Sequence, residues 1–206
     1  MHRIGVIGGT FDPIHYGHLA AAEEARARMN LERVLFAVAG MPPHKLDEEV
    51  TPVEHRLVMV GLAIASNPYF EISRVDADRP GPSYTVDTIS ILQEQLGQET
   101  EIYFIMGLDS LVELATWHQP QQLIQLCRLV VARRPGFEID MAELEATVPG
   151  ISSRMEIIDM PEVDISASQL QQRVKEGLPI KYQVPEEVER YIREHELYTR
   201  PVGIVS

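Results

Sequence analysis

Short apolar runs alternate along this chain with longer segments that carry an apolar stripe at helical spacing. A strand buried on both faces reads as a continuous apolar run, and joining parallel strands takes a crossover that a helix supplies. Residues 3–7, 34–38, 101–106 and 128–132 read as such strands, with weaker candidates at 70–73 and 155–158. Leu19, Ala22, Ala25 and Met29 form one stripe after Gly17, and Leu57, Val60 and Ile64 another. The second follows Thr51-Pro52-Val53-Glu54, a capping-box pattern with Pro at the first helical position. Val86, Ile89, Leu92 and Leu96 mark a helix before Gly97. Residues 166–176 form another, capped by Ser166 and stopped by Gly177, and residues 185–195 a last one. This order predicts an α/β fold, a doubly wound, mostly parallel sheet with helices on both faces and a ligand crevice outside the carboxyl ends of the strands.

With 206 residues the chain is sized for a single domain, 1–206, and no linker or internal repeat interrupts it. Residues 41–50 and 76–82 read as loops, the first a candidate flap over the site. The net charge of -13 opposes extended contact with a nucleic-acid backbone, although a few local donors still suffice for a small anion. The single cysteine, Cys127, lies in an apolar run and reads as a buried structural thiol. No signal-peptide pattern and no apolar run of membrane-spanning length is present, so a cytoplasmic, membrane-free protein is expected; a homo-oligomer is left open.

Chemistry concentrates in Gly8-Gly9-Thr10-Phe11-Asp12-Pro13-Ile14-His15-Tyr16-Gly17-His18, between the first strand and the first helix. It has neither a Walker loop nor a clean G-x-G-x-x-G. Two histidines three apart at a helix start face whatever lies over the helix N-terminus, where backbone N–H groups and the dipole favour phosphate. From the residues alone, a metal pair and incidental placement remain alternatives.

This run resembles the HxGH signature of the nucleotidyltransferase superfamily, in the longer form of the bacterial nicotinate-mononucleotide adenylyltransferases. The resemblance extends through Pro42-Pro43-His44-Lys45, Ser83 to Thr88, Gly107-Leu108-Asp109-Ser110, Trp117-His118, Val131 to Gly136 and Ile165 to Ser168. It implies a Rossmann-like nucleotidyltransferase fold and the transfer of AMP from ATP to nicotinic acid mononucleotide. It further implies catalytic roles for His18 and His15, and ATP contacts from Gly8, Gly9, Thr10, Phe11, His15, His18, Lys45, Gly107, Asp109, Arg134, Ser166 and Ser168. The acceptor would meet His44, Lys45, Thr85, Trp117 and His118. Taken singly, Lys45 reads equally as a solvated flap charge, Asp109 and the two serines as helix caps, and Trp117 as a core aromatic. The last motif departs from the family at Gln171, where an arginine is usual, which leaves Arg173, Arg134 and Lys45 to meet the triphosphate.

A monoester phosphate is already mostly dianionic at neutral pH, so such a transfer requires donors and no general base. No protein metal site is expected, and Mg²⁺ would be carried mainly by the ATP phosphates. Two alternatives stay open: another phosphorylated acceptor, such as phosphopantetheine or flavin mononucleotide, and a nucleotide-binding sensor that has lost catalysis.

Overall fold

The computed structural model describes residues 2–45, 48–133, 140–160 and 163–199. Strands β1 (His2–Gly9), β2 (Arg33–Val38), β3 (Phe70–Ser73), β4 (Thr100–Gly107), β5 (Arg128–Arg133) and β6 (Met155–Asp159) form one sheet in the order β3-β2-β1-β4-β5-β6. Every neighbouring pair is parallel. The chain builds outward from β1 to β3 on one side and from β4 to β6 on the other, so the order reverses between β1 and β4. A crevice opens at that point because the crossovers leave on opposite faces.

The helices are α1 (Tyr16–Met29), α2 (Val53–Ile64), α3 (Thr85–Leu96), α4 (Leu108–Val112), α5 (Pro120–Leu126), α6 (Met141–Thr147), α7 (Ala167–Lys175) and α8 (Glu186–Glu194). Ile7, Phe36, Ile105 and Val130 pack on one face with Ala22, Leu57, Leu170 and Val188, which assigns α1, α2, α7 and α8 to that side. Val6, Leu35, Phe104 and Leu129 pack on the other with Ile89, Leu111, Leu123 and Leu144, from α3 to α6. Burying a large apolar side chain contributes roughly 1.5–3 kcal/mol. Strands covered on both faces therefore read as unbroken apolar runs.

The stop and start signals act locally. Gly97 and Gly177 end α3 and α7 at φ of +86° and +73°, a backbone region that glycine enters without a Cβ penalty. Ser166 caps α7, its Oγ accepting from the Gln169 N–H at 3.3 Å. The start of α2 corrects the sequence expectation. Pro52 is the N-cap residue, and Thr51 makes no cap; its N–H donates to the Asp12 carboxylate at 3.0 Å and its carbonyl accepts from Arg56. Short α4, α5 and α6 carry too few turns to print a period. Cys127 is buried and burial pushes its thiol up to about 12, as an inert packing residue requires. No helix among the described residues is long and apolar enough to cross a membrane.

Arg56 is buried although it carries a charge. Its Nε donates to the Thr51 carbonyl at 2.8 Å, and one terminal nitrogen to the carbonyls of Thr10 at 2.8 Å and Ala39 at 2.7 Å. The turns that leave β1 and β2 are thereby fastened to α2. Removing this group strands three carbonyls, one buried and two partly buried, and a fully buried one costs ~1–3 kcal/mol without a partner. Arg56→Leu should lose roughly 3 kcal/mol or more in urea unfolding at unchanged slope. A loss under about 1 kcal/mol would show that water replaces the guanidinium.

Candidate active site

A cavity of about 370 Å³ lies at the reversal point of the sheet. The end of β1 contributes Gly8, the end of β4 contributes Phe104 to Gly107, and the N-terminus of α1 contributes His15, Gly17 and His18. Asp109 and Ser110 border it from the start of α4, and Ser166 and Ala167 from the start of α7. The starts of α1 and α7 thus border one space, a setting that favours phosphate.

The two histidine rings stack at 3.7 Å between centroids. Gly17 permits this, since a Cβ there would sit 3.0 Å from the His15 ring. Phe11, buried at a φ of +50°, reverses the chain and sets its ring edge against His18 at 5.0 Å. The His15 backbone N–H donates to His18 Nδ1 at 3.3 Å. A nitrogen that accepts carries no proton, so neutral His18 holds its proton on Nε2. Burial, and secondarily the charge of His15, holds His18 well below the usual imidazole range. The ring is consequently a neutral donor.

A second cavity of about 210 Å³ is lined by Pro43, His44, Tyr84, Thr85, Thr116, Trp117 and His118. Trp117 borders both cavities. Its indole Nε1 is buried with no hydrogen-bond partner among the described residues. Tyr84 stacks on His118 at 4.3 Å and closes one side. The walls are held from behind: Ser83 N–H donates to the Met41 carbonyl at 2.8 Å, and Met41 N–H to Ser83 Oγ at 3.3 Å. Arg79 donates to the Pro82 carbonyl at 2.9 Å and pairs with buried Asp76 at 2.8 Å, which also accepts from Thr88.

Most residues singled out in the sequence meet at these two spaces. Gly8, His15, His18, Gly107, Asp109 and Ser166 line the first cavity, and His44, Thr85 and His118 the second. Gly9, Thr10, Phe11 and Ser168 line neither; Gly9 ends β1, Thr10 and Phe11 follow it in the turn, and Ser168 lies 3.3 Å from Ser166 between hydroxyls. Lys45 pairs with Glu48 at 3.2 Å, outside both. Arg134 falls outside the described residues. Arg173 is spent on the Pro179 carbonyl at 3.0 and 2.9 Å. Gln171 is no gap in the lining: its Nε2 donates to the Asp12 carbonyl at 2.7 Å. Asp12 and Tyr84 lie in the quoted motifs without an assigned role and Arg56, Asp76 and Arg79 lie outside them, although a charge such as Arg56 on the apolar stripe of α2 is a legible signal.

The cytidylyltransferase-like family profile matches residues 6–173, which hold every lining residue of both cavities. The chain belongs to this family. Within it, a Thermomicrobium roseum relative is 48% identical over 96% of this chain and 92% of its own length. A Moorella thermoacetica relative is 46% identical over 95% and 91%. Both are named "Probable nicotinate-nucleotide adenylyltransferase", and the chain is a member of that group. A Plasmodium falciparum nicotinic acid mononucleotide adenylyltransferase solved with NaAD has the same fold, with a TM-score of 0.78 at 20% identity over 96% of this chain and 98% of that one.

In this cytidylyltransferase-like site the state of His18 can be read directly. Imidazole nitrogen shifts should show Nε2 protonated and Nδ1 bare from pH 8 down to the ordinary imidazole value of 6.5 and below. Since unfolding then takes up the proton, His18 subtracts stability as pH falls below 6.5 and contributes nothing above it. A His18 that titrates at the ordinary value would contradict the neutral donor.

Proposed function

We propose that the chain transfers AMP from ATP to nicotinic acid mononucleotide, giving nicotinic acid adenine dinucleotide and pyrophosphate in cytoplasmic NAD biosynthesis. One observation carries the reading: a phosphate-favouring cavity with a neutral histidine donor and a smaller aromatic cavity share one wall, Trp117. A reaction that joins two nucleotides needs two such adjacent spaces. Relatives of known name and the ligand of the Plasmodium structure agree with it.

In this reading ATP occupies the larger cavity, with Asp109 facing the ribose and Ser166 and the α7 start facing the phosphates. The acceptor base lies against Trp117, between His44, Thr85 and His118. The acceptor 5′-phosphate oxygen forms a bond to the α-phosphorus of ATP while the bond to the β-phosphate bridging oxygen breaks, and pyrophosphate leaves. The attacking phosphate is already dianionic, so no side chain need remove a proton. The site supplies position and electrostatics. His18 Nε2–H donates to a non-bridging α-phosphate oxygen, and His15 and the α1 N-terminus favour the phosphate charge. A neutral donor gains strength as charge grows on that oxygen, without binding ground-state ATP as an imidazolium would.

In this reading Lys45 and Arg134 supply cationic charge to the triphosphate. The ATP phosphates would hold Mg²⁺, which would supply charge neutralisation for the pyrophosphate. Among the described residues no three His, Cys, Asp or Glu side chains group to hold a metal.

Acceptor selectivity follows from the smaller cavity. A nicotinate carboxylate accepts from two or more N–H groups, whereas the amide turns an NH₂ toward a donor. An unpaired buried polar group costs ~1–3 kcal/mol and the lost charge assistance adds to it, so kcat/KM should favour the acid by at least ~10²-fold. Stacking is common to both, so Trp117→Ala should weaken both acceptors by similar factors and leave their ratio nearly intact. A coupled pyrophosphate assay decides this. Comparable kcat/KM for acid and amide would overturn the acceptor, and no pyrophosphate from either would overturn the reaction.

A further inference from the structure

The proposed reaction leaves one buried group unused. Asp12 is 3% exposed, carries a carboxylate, lines neither cavity and lies three residues before His15. Three distant segments converge on it. Tyr198, 186 residues away in the chain, donates its hydroxyl to Asp12 Oδ1 at 2.5 Å. The Thr51 N–H donates to Oδ2 at 3.0 Å, and the Gln171 amide to the backbone carbonyl at 2.7 Å. With Arg56 on the Thr10 carbonyl, the turn from Thr10 to Asp12 is held on every side.

That turn sets the His15 backbone, and the His15 N–H is the group that bonds His18 Nδ1. A shift at Asp12 therefore passes through Pro13 and Ile14 to the angle at which the His18 ring presents Nε2. We propose that Tyr198 is a positioning residue for adenylyl transfer, its hydroxyl fixing Asp12 so that the turn aims His18 at the reacting phosphate. The proposal rests on the function given above.

The tyrosine is suited to a fixed rather than a switched contact. Burial, and then the Asp12 carboxylate, push its hydroxyl far above the ordinary phenol value, so it remains a donor across the working pH range. Tyr198 packs against the core that includes Met59 of α2, and its hydroxyl also lies 4.0 Å from the Met59 sulfur. Phenylalanine can keep the ring packing and remove only the hydroxyl contacts.

The test compares wild type, Tyr198→Phe, His18→Ala and the double variant, with melting curves alongside. Tyr198→Phe should lower kcat at least about tenfold while KM for ATP and for the acceptor stays within twofold, because a small misplacement acts on the transition state. In the His18→Ala background the same change should have no further effect on kcat, since the ring it aims is gone. Gln171→Met, which frees the Asp12 carbonyl, should repeat the pattern if Tyr198→Phe melts too early to assay. A kcat within twofold of wild type, or losses that multiply in the double variant, would overturn the positioning role. An inactive wild type would instead overturn the proposed function, and the positioning role with it.

Discussion

A single buried guanidinium holds the catalytic end of this fold together. Arg56 binds the carbonyls of Thr10, Ala39 and Thr51, which leave β1, β2 and the segment before α2. Sheet ladders stop at those points, and carbonyls that have left a ladder inside a protein must find other donors. Arginine offers five N–H groups in a fixed fork, so one side chain can serve three turns at once. Burial lowers its affinity for the proton, while the neighbouring Asp12 carboxylate opposes that. Without the fork the turns could relax independently, and the HxGH segment would have no fixed address over the sheet.

The order of the strands does the rest. Reversal between β1 and β4 opens the crevice, and both bordering strands end in glycine, Gly9 and Gly107. Gly8 keeps the crevice passable, because a Cβ there would press on Phe104 at 3.3 Å. The smaller cavity depends on a separate set of ties, in which Arg79 and Ser83 hold the Met41 and Tyr84 segments in register. The two cavities thus share Trp117 while their walls are anchored in different parts of the chain.

Much of this was legible before any coordinates. The strands were plain because both faces are covered, and Ser166, Gly97 and Gly177 punctuate helices by local chemistry alone. The histidine pair was legible because its spacing and the glycine between act within one turn of helix. Other parts were not. Asp12, Tyr198 and Gln171 owe their importance to contacts across 159 and 186 residues, which no local pattern records. Gln171 read as a missing arginine, whereas its amide fills a place that only the folded turn creates. Thr51 matched a cap in sequence but is used by Asp12 and Arg56.

The central claim is that His18 acts as a neutral donor on the transition state rather than as a binding charge for ATP. Single-turnover AMP transfer by His18→Ala, measured with ATP affinity in the same preparation, addresses it most directly. The account predicts a rate lower by at least ~10²-fold with ATP affinity changed less than about threefold. A rate within a few-fold of wild type, or an equal loss in affinity and no loss in rate once ATP is saturating, would contradict it.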